Sequence, residues 1–186
     1  MSLSECPAAG AEMKHNWRMG SVELLTDAFG RIAESVNGAV DGLDADALSY
    51  RIDEEANSIA WLVWHLSRVQ DDHIADVAGL EQVWTAKGWA DRFALDLPVE
   101  DTGYGHTSDQ VAAVKVDSPK LLSGYHDAVF RQTVDYVSGL DDADLDLIVD
   151  EYWDPPVTLG VRLISVIGDD LQHAGQAEFI RGIVLR

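Results

Sequence analysis

Asp169 and His173 lie four residues apart in the segment DDLQHAGQAEFIRG, residues 169–182. At ~100° per residue they sit ~40° apart on a helix, the geometry by which one helix offers two ligands to one metal. Burying an unpaired carboxylate costs several kcal/mol, so aspartates in an apolar helix need a partner or a wet face. An upstream segment, WLVWHLSRVQDDH, supplies a third donor. Its His65 falls ~60° off the apolar stripe, at an edge from which a side chain reaches into a cleft between helices. His65, Asp169 and His173 would hold a divalent metal and leave a coordination position open, as catalytic sites do. Imidazole with carboxylate suits zinc, nickel or iron better than magnesium or calcium. Two rivals stay open on periodicity. Asp170 lies nearer the centre of its stripe than Asp169 and pairs with His173 at i, i+3. His73 points more squarely at the core than His65. The bland alternative is hydrogen-bonded histidines at a core edge, with aspartates facing water.

Other polar residues are weaker candidates. Gln176, one turn beyond His173, and Arg181 are the candidate cofactor-binding side chains. Against them stand a plain surface glutamine and an arginine paired with one of the many acids. Asp72, two turns past His65, is weighed as a residue orienting a ligand, second to a solvated carboxylate. His106 and His126 read as surface residues, and His15 as part of the tail.

Four long segments with helical apolar spacing must position these groups. The first covers about 14–40, with Trp17, Leu24, Leu25, Phe29, Ile32 and Val36 as its stripe, broken by Gly38 and Gly42. The second covers about 58–78, capped by Asn57 or Ser58, with Ile59, Leu62, Leu66 and Val69 inward. The third opens on Ser118 and Pro119, a natural cap and first helical residue, and carries Leu122, Tyr125, Val129 and Val137. The fourth covers about 158–185, with Leu163, Ile167, Ala174 and Ala177. A connection over about 79–117 holds a short helix near SDQVAAVK and the aromatics Trp84, Trp89, Phe93 and Tyr104, read as pins onto the helices. Connections this long in compact domains are usually functional. The pattern predicts an all-α fold, a single-domain helical bundle over 1–186 with a loose tail at 1–13 and a long crossover between the second and third helices.

Composition narrows the function classes. The 186 residues suit one domain with a sizeable core. A net charge of −20 argues against nucleic acid and anionic membrane surfaces as partners. No segment approaches the ~18–20 apolar residues of a membrane span, and the start lacks the apolar region of a signal peptide, so a cytoplasmic protein is expected. The one cysteine, Cys6, lies in the tail without neighbours that would activate it. Chemistry that needs sulfur would take it from outside.

WLVWHLSRVQDDH and SVIGDDLQHAGQAEFIRG together resemble the DinB-like superfamily, which includes mycothiol-dependent maleylpyruvate isomerases and related bacterial thiol S-transferases. The likeness is specific at the WHL histidine and at the ligand-x-x-x-His-Ala-Gly-Gln pattern. It implies His65, Asp169 and His173 as metal ligands, favouring them over His73 and Asp170. Relatives carry histidine or glutamate where this chain has Asp169, whose arm is shorter. The resemblance further implies an antiparallel four-helix bundle, often dimeric, with zinc or nickel in its cleft. It implies a metal that activates a low-molecular-weight thiol, as cosubstrate, for attack on a small electrophile. The competing expectations are a non-catalytic interaction bundle and a metal-dependent hydrolase that uses water.

Overall fold

The computed structural model describes residues 19–186. Cys6, His15, Trp17, the tail at 1–13 and the expected helical residues 14–18 lie outside the described residues.

The fold is all-α apart from one small hairpin. In chain order the helices are α1 (Ser21–Val40), α2 (Ala45–Ser49), α3 (Ile59–Ala78), α4 (Val83–Ala86), α5 (Trp89–Phe93), α6 (Ser108–Ala113), α7 (Pro119–Val137) and α8 (Leu159–Val184). A 3-10 turn at Asp144–Asp146 and two antiparallel strands, β1 (Ile148–Asp150) and β2 (Val157–Thr158), link α7 to α8. The sequence pattern had shown neither the hairpin nor the short helices α2, α4 and α5. Among the described residues no helix is long and apolar enough to cross a membrane.

The helix starts follow capping chemistry. The Ser58 side chain accepts from Trp61 N, Ser118 from Lys120 N and Thr158 from Val161 N, so each satisfies an orphan amide of a first turn. The helix α1 starts later than expected, at Ser21, and runs through Gly38 to Val40, so Gly38 does not break it. The break comes at Asp41 and Gly42, the latter at φ 71° where an L side chain is strained.

The four long helices pack in a closed cycle, α1 on α8, α8 on α3, α3 on α7 and α7 on α1. Leu25, Phe29, Ile32 and Val36 of α1 meet Leu62 and Leu66 of α3, Leu122, Tyr125 and Val129 of α7, and Leu163, Ala174 and Ala177 of α8 in one core. Leu24, counted into the α1 stripe, faces solvent instead. The first ten residues of α3 are buried on every side, because the 79–117 connection covers the flank that α7 and α8 leave open.

That connection is tied down by a buried polar network. Arg68 and Asp71, both without solvent access, lie 3.7 Å apart on α3. The Asp71 carboxylate accepts from the Val83 and Trp84 amides and from Tyr125 Oη, each at 2.8 Å. Arg68 donates to Gln82 Oε1 at 2.8 Å and to the Asp101 carbonyl at 3.1 Å. One buried ion pair thus holds both ends of the loop that reaches the site. Trp84 and Phe93 pack on Tyr125 as expected. Tyr104 does not pin the loop, since 93 % of it is exposed.

Candidate metal centre

The helices α3 and α8, joined by the largest of the interhelical contacts, bring His65, Asp169 and His173 together. One donor atom from each lies within 4.8 Å of the other two. His173 Nε2 is 3.7 Å from Asp169 Oδ1, close to the ligand–ligand edge of roughly 3.5 Å that bonds of about 2.0–2.2 Å impose. The two imidazoles meet edge to face with centroids 4.9 Å apart.

Each histidine has its Nδ1 engaged by the protein. His65 Nδ1–H donates to the Thr102 carbonyl at 2.5 Å. His173 Nδ1–H donates to Gln176 Oε1 at 3.0 Å. Both bonds place the ring proton on Nδ1 and leave the Nε2 lone pair for a metal, as outer partners of ligating histidines do. Burial lowers the His65 pKa, against the opposing pull of the Thr102 bond, which keeps that ring neutral and able to ligate. The donor set fits a divalent cation on one further observation. Asp169 Oδ2 is buried and has no hydrogen-bond partner, a state that costs about 1–3 kcal/mol or more for a carboxylate unless a cation joins it.

The rivals occupy other places. Asp170 sits at the stripe centre, as its periodicity indicated, but points into the core with no solvent access and no partner on either oxygen. Burial, with the Asp169 charge second, raises its pKa well above the usual carboxylate range, which favours the neutral form. His73 accepts from Arg162 Nη1 at 2.8 Å through its Nδ1, and Arg162 in turn donates to Asp150 on β1 at 2.9 Å. That places the His73 proton on Nε2, so neither ring nitrogen offers a free lone pair to a metal.

Gln176 touches His173, a candidate ligand, through its Oε1. Arg181 departs from the expectation for it. Its Nη1 donates to the Ala39 and Asp41 carbonyls, where it caps the C-terminus of α1, and it makes no ion pair with a neighbouring acid among the described residues. Asp72 accepts from Gln82 Nε2 at 2.7 Å and makes no hydrogen bond to the trio. His126 is not a surface residue. It is fully buried on α7, where its Nδ1–H donates to Ser67 Oγ at 3.1 Å, and burial lowers its pKa to about 4.

The loop 101–106 is the part of the site that sequence reasoning missed. Trp61 Nε1 can only donate, and it donates to His106 Nδ1 at 3.0 Å. The His106 proton is then on Nε2, which donates to Asp101 Oδ2 at 2.9 Å, so His106 is no surface residue either. Burial by itself would raise the Asp101 pKa, but the Gly103 amide and His106 outweigh it and hold the carboxyl below the usual range. Trp61 stacks on His65 with centroids 4.5 Å apart. Gly103, at φ 92°, lets the backbone come so close that a Cβ there would lie 2.7 Å from His65 Nδ1. The Gly-Tyr-Gly-His run was the available signal, though glycines in a loop also mark ordinary turns.

Beside the trio a cleft of about 590 Å³ opens over His65 and Asp169, with Arg162, Tyr104 and Trp153 among its walls. The helical fold and this His/Asp trio across two helices define the class, a DinB-like protein. The family described as Mycothiol-S-transferase (MST) matches residues 24–184, and the chain belongs to it. It is similar to a solved structure from Enterococcus faecalis, titled as the conserved protein of locus. The two are 31% identical over 90% of this chain and 99% of that one, with a TM-score of 0.84. No curated protein matches.

Proposed function

We propose that the protein is a divalent-metal-dependent thiol S-transferase that joins a low-molecular-weight thiol of the mycothiol kind to a small electrophile. The observation that carries this reading is the trio itself, one donor atom of each residue lying within 4.8 Å of the other two, with both Nε2 lone pairs free and Asp169 Oδ2 buried without a partner. Family membership supplies the thiol. Zinc or nickel held by His65, Asp169 and His173 would supply Lewis acidity that brings a thiol pKa toward ~7. The chain's own groups do the rest. Thr102 and Gln176 hold the rings at fixed tautomer, Trp61 covers the buried face of His65, and the cleft leaves room for both reactants. The cycle of four long helices is read as the antiparallel bundle with a long α3–α7 crossover.

The reaction forms a sulfur–carbon bond, expels a leaving group such as chloride, and releases the thiol proton to solvent. Purified protein with mycothiol and monochlorobimane tests it. Fluorescent conjugate should form well above the uncatalysed rate, depend on added thiol, and vanish in His173→Ala. Turnover without thiol would favour a hydrolase, and none with thiol and metal would favour an interaction role.

The reading includes a homodimer. Val161, Ile164, Leu171 and Phe179 are exposed and fall within ~80° of one another on α8, with Gly168 and Gly175 in the same strip. An exposed apolar strip of this kind suits an interface between two copies. Sedimentation should give a dimer for the wild type and a monomer for Leu171→Glu, and a monomeric wild type would exclude it.

A further inference from the structure

A second cleft, of about 750 Å³, lies between the end of α3, the α4–α5 segment and α7, and shares no lining residue with the cleft at the metal trio. Its wall reverses the charge of the molecule. Asp and Glu outnumber Lys and Arg 33 to 13 in the chain. Here Lys87, Arg92 and Arg131 face one acid, Asp135. None of the three cations makes an ion pair among the described residues, and Asp135 makes none with Arg131 one turn away. In a protein with this surplus of carboxylates, three exposed cations that converge on one cavity with no acid paired to any of them make a local positive patch suited to an anion.

The cleft is also built in advance. The Arg92 guanidinium lies over the Trp89 ring at 4.3 Å and donates to the Lys87 carbonyl at 2.8 Å, which fixes its plane and leaves donors for an anion. Trp89 seats against α7 because residue 124 is glycine, where a Cβ would lie 3.0 Å from the indole. Leu80, Val83 and Ala128 complete an apolar floor. Free inorganic anions have no use for such a floor, whereas an anion with an apolar body meets both halves of the site.

We propose that this cleft is a binding site for a small organic anion, an aromatic carboxylate or its like, whose charge meets Arg92, Arg131 and Lys87 and whose ring lies along Trp89. The test is a titration of the full ¹⁵N-labelled chain with 2-naphthoate and, in parallel, with the neutral 2-naphthalenemethanol, followed by amide and indole resonances. Naphthoate should shift the Trp89 indole and the α4–α5 amides and bind at least about tenfold more tightly than the alcohol. The Arg92→Gln/Arg131→Gln double variant, both positions exposed, should keep the wild-type spectrum elsewhere and lose that preference. Unmoved Trp89 resonances, equal binding of the alcohol, or a double variant that binds naphthoate like the wild type would each overturn the site.

Discussion

Gly103→Ala perturbs the loop that holds His65, and its cost can be worked from the geometry. The φ of 92° is foreign to an L side chain and costs about 1–2 kcal/mol. The added Cβ would meet His65 Nδ1 at 2.7 Å, Trp64 at 3.0 Å and Trp61 at 3.2 Å, all rings in the packed interior. Ordinary contact begins at 3.4 Å, so the loop must back off by roughly 0.7 Å in a close-packed interior. That carries the Thr102 carbonyl from 2.5 Å to the outer limit of a hydrogen bond with His65, which is worth about 1 kcal/mol. The expected stability loss is about 2–4 kcal/mol in urea unfolding. Metal affinity, measured against a chelator, should fall about 10–100-fold, as it does when an outer partner of a ligating histidine is lost. Gly105→Ala is the control. At φ 71° it shares the backbone strain, but nothing lies within 4 Å of its Cβ. It should lose stability without losing metal affinity. A Gly103 variant no worse than the Gly105 variant in both assays would refute the reasoning.

Two further predictions follow from named contacts. Gln176→Leu removes the acceptor of the His173 Nδ1–H on an exposed helix turn, so metal affinity should drop about 10–100-fold with stability nearly unchanged; an unchanged affinity would show that Gln176 does not hold the ring. His126 has a folded pKa of about 4 against about 6.5 unfolded, so the unfolded chain takes up a proton the folded chain refuses. Its contribution is intact above pH ~6.5 and falls by about 3 kcal/mol as pH drops to ~4. His126→Gln should flatten that part of the stability–pH curve, and identical curves would contradict it.

What the chain discloses in advance depends on whether a residue's role is local. Ser58, Ser118 and Pro119 marked helix starts because capping involves neighbours in sequence. Asp170 was placed by periodicity, and it is indeed inward. Periodicity gave no reason to prefer Asp169, because the site lies at an edge between α3 and α8 and not on either stripe. His126 stands between Leu122 and Val129 at helical spacing, so its position encodes burial while its polarity points to the surface. The roles of Asp101, Thr102, Gly103 and His106 depend on contacts 33–45 residues away in sequence, made possible by the buried Arg68–Asp71 pair. No local pattern encodes those. The contacts of Arg181 escape a local reading for the same reason, as its partners lie at the far end of α1.

The most direct test of the account is the metal content of protein purified without a chelating column, by elemental mass spectrometry, with circular dichroism to verify folding. The account predicts near one zinc or nickel per chain in the wild type and in Asp170→Asn, and loss of that metal in His65→Ala and His173→Ala. A wild-type protein that takes up neither metal after incubation with both would contradict it.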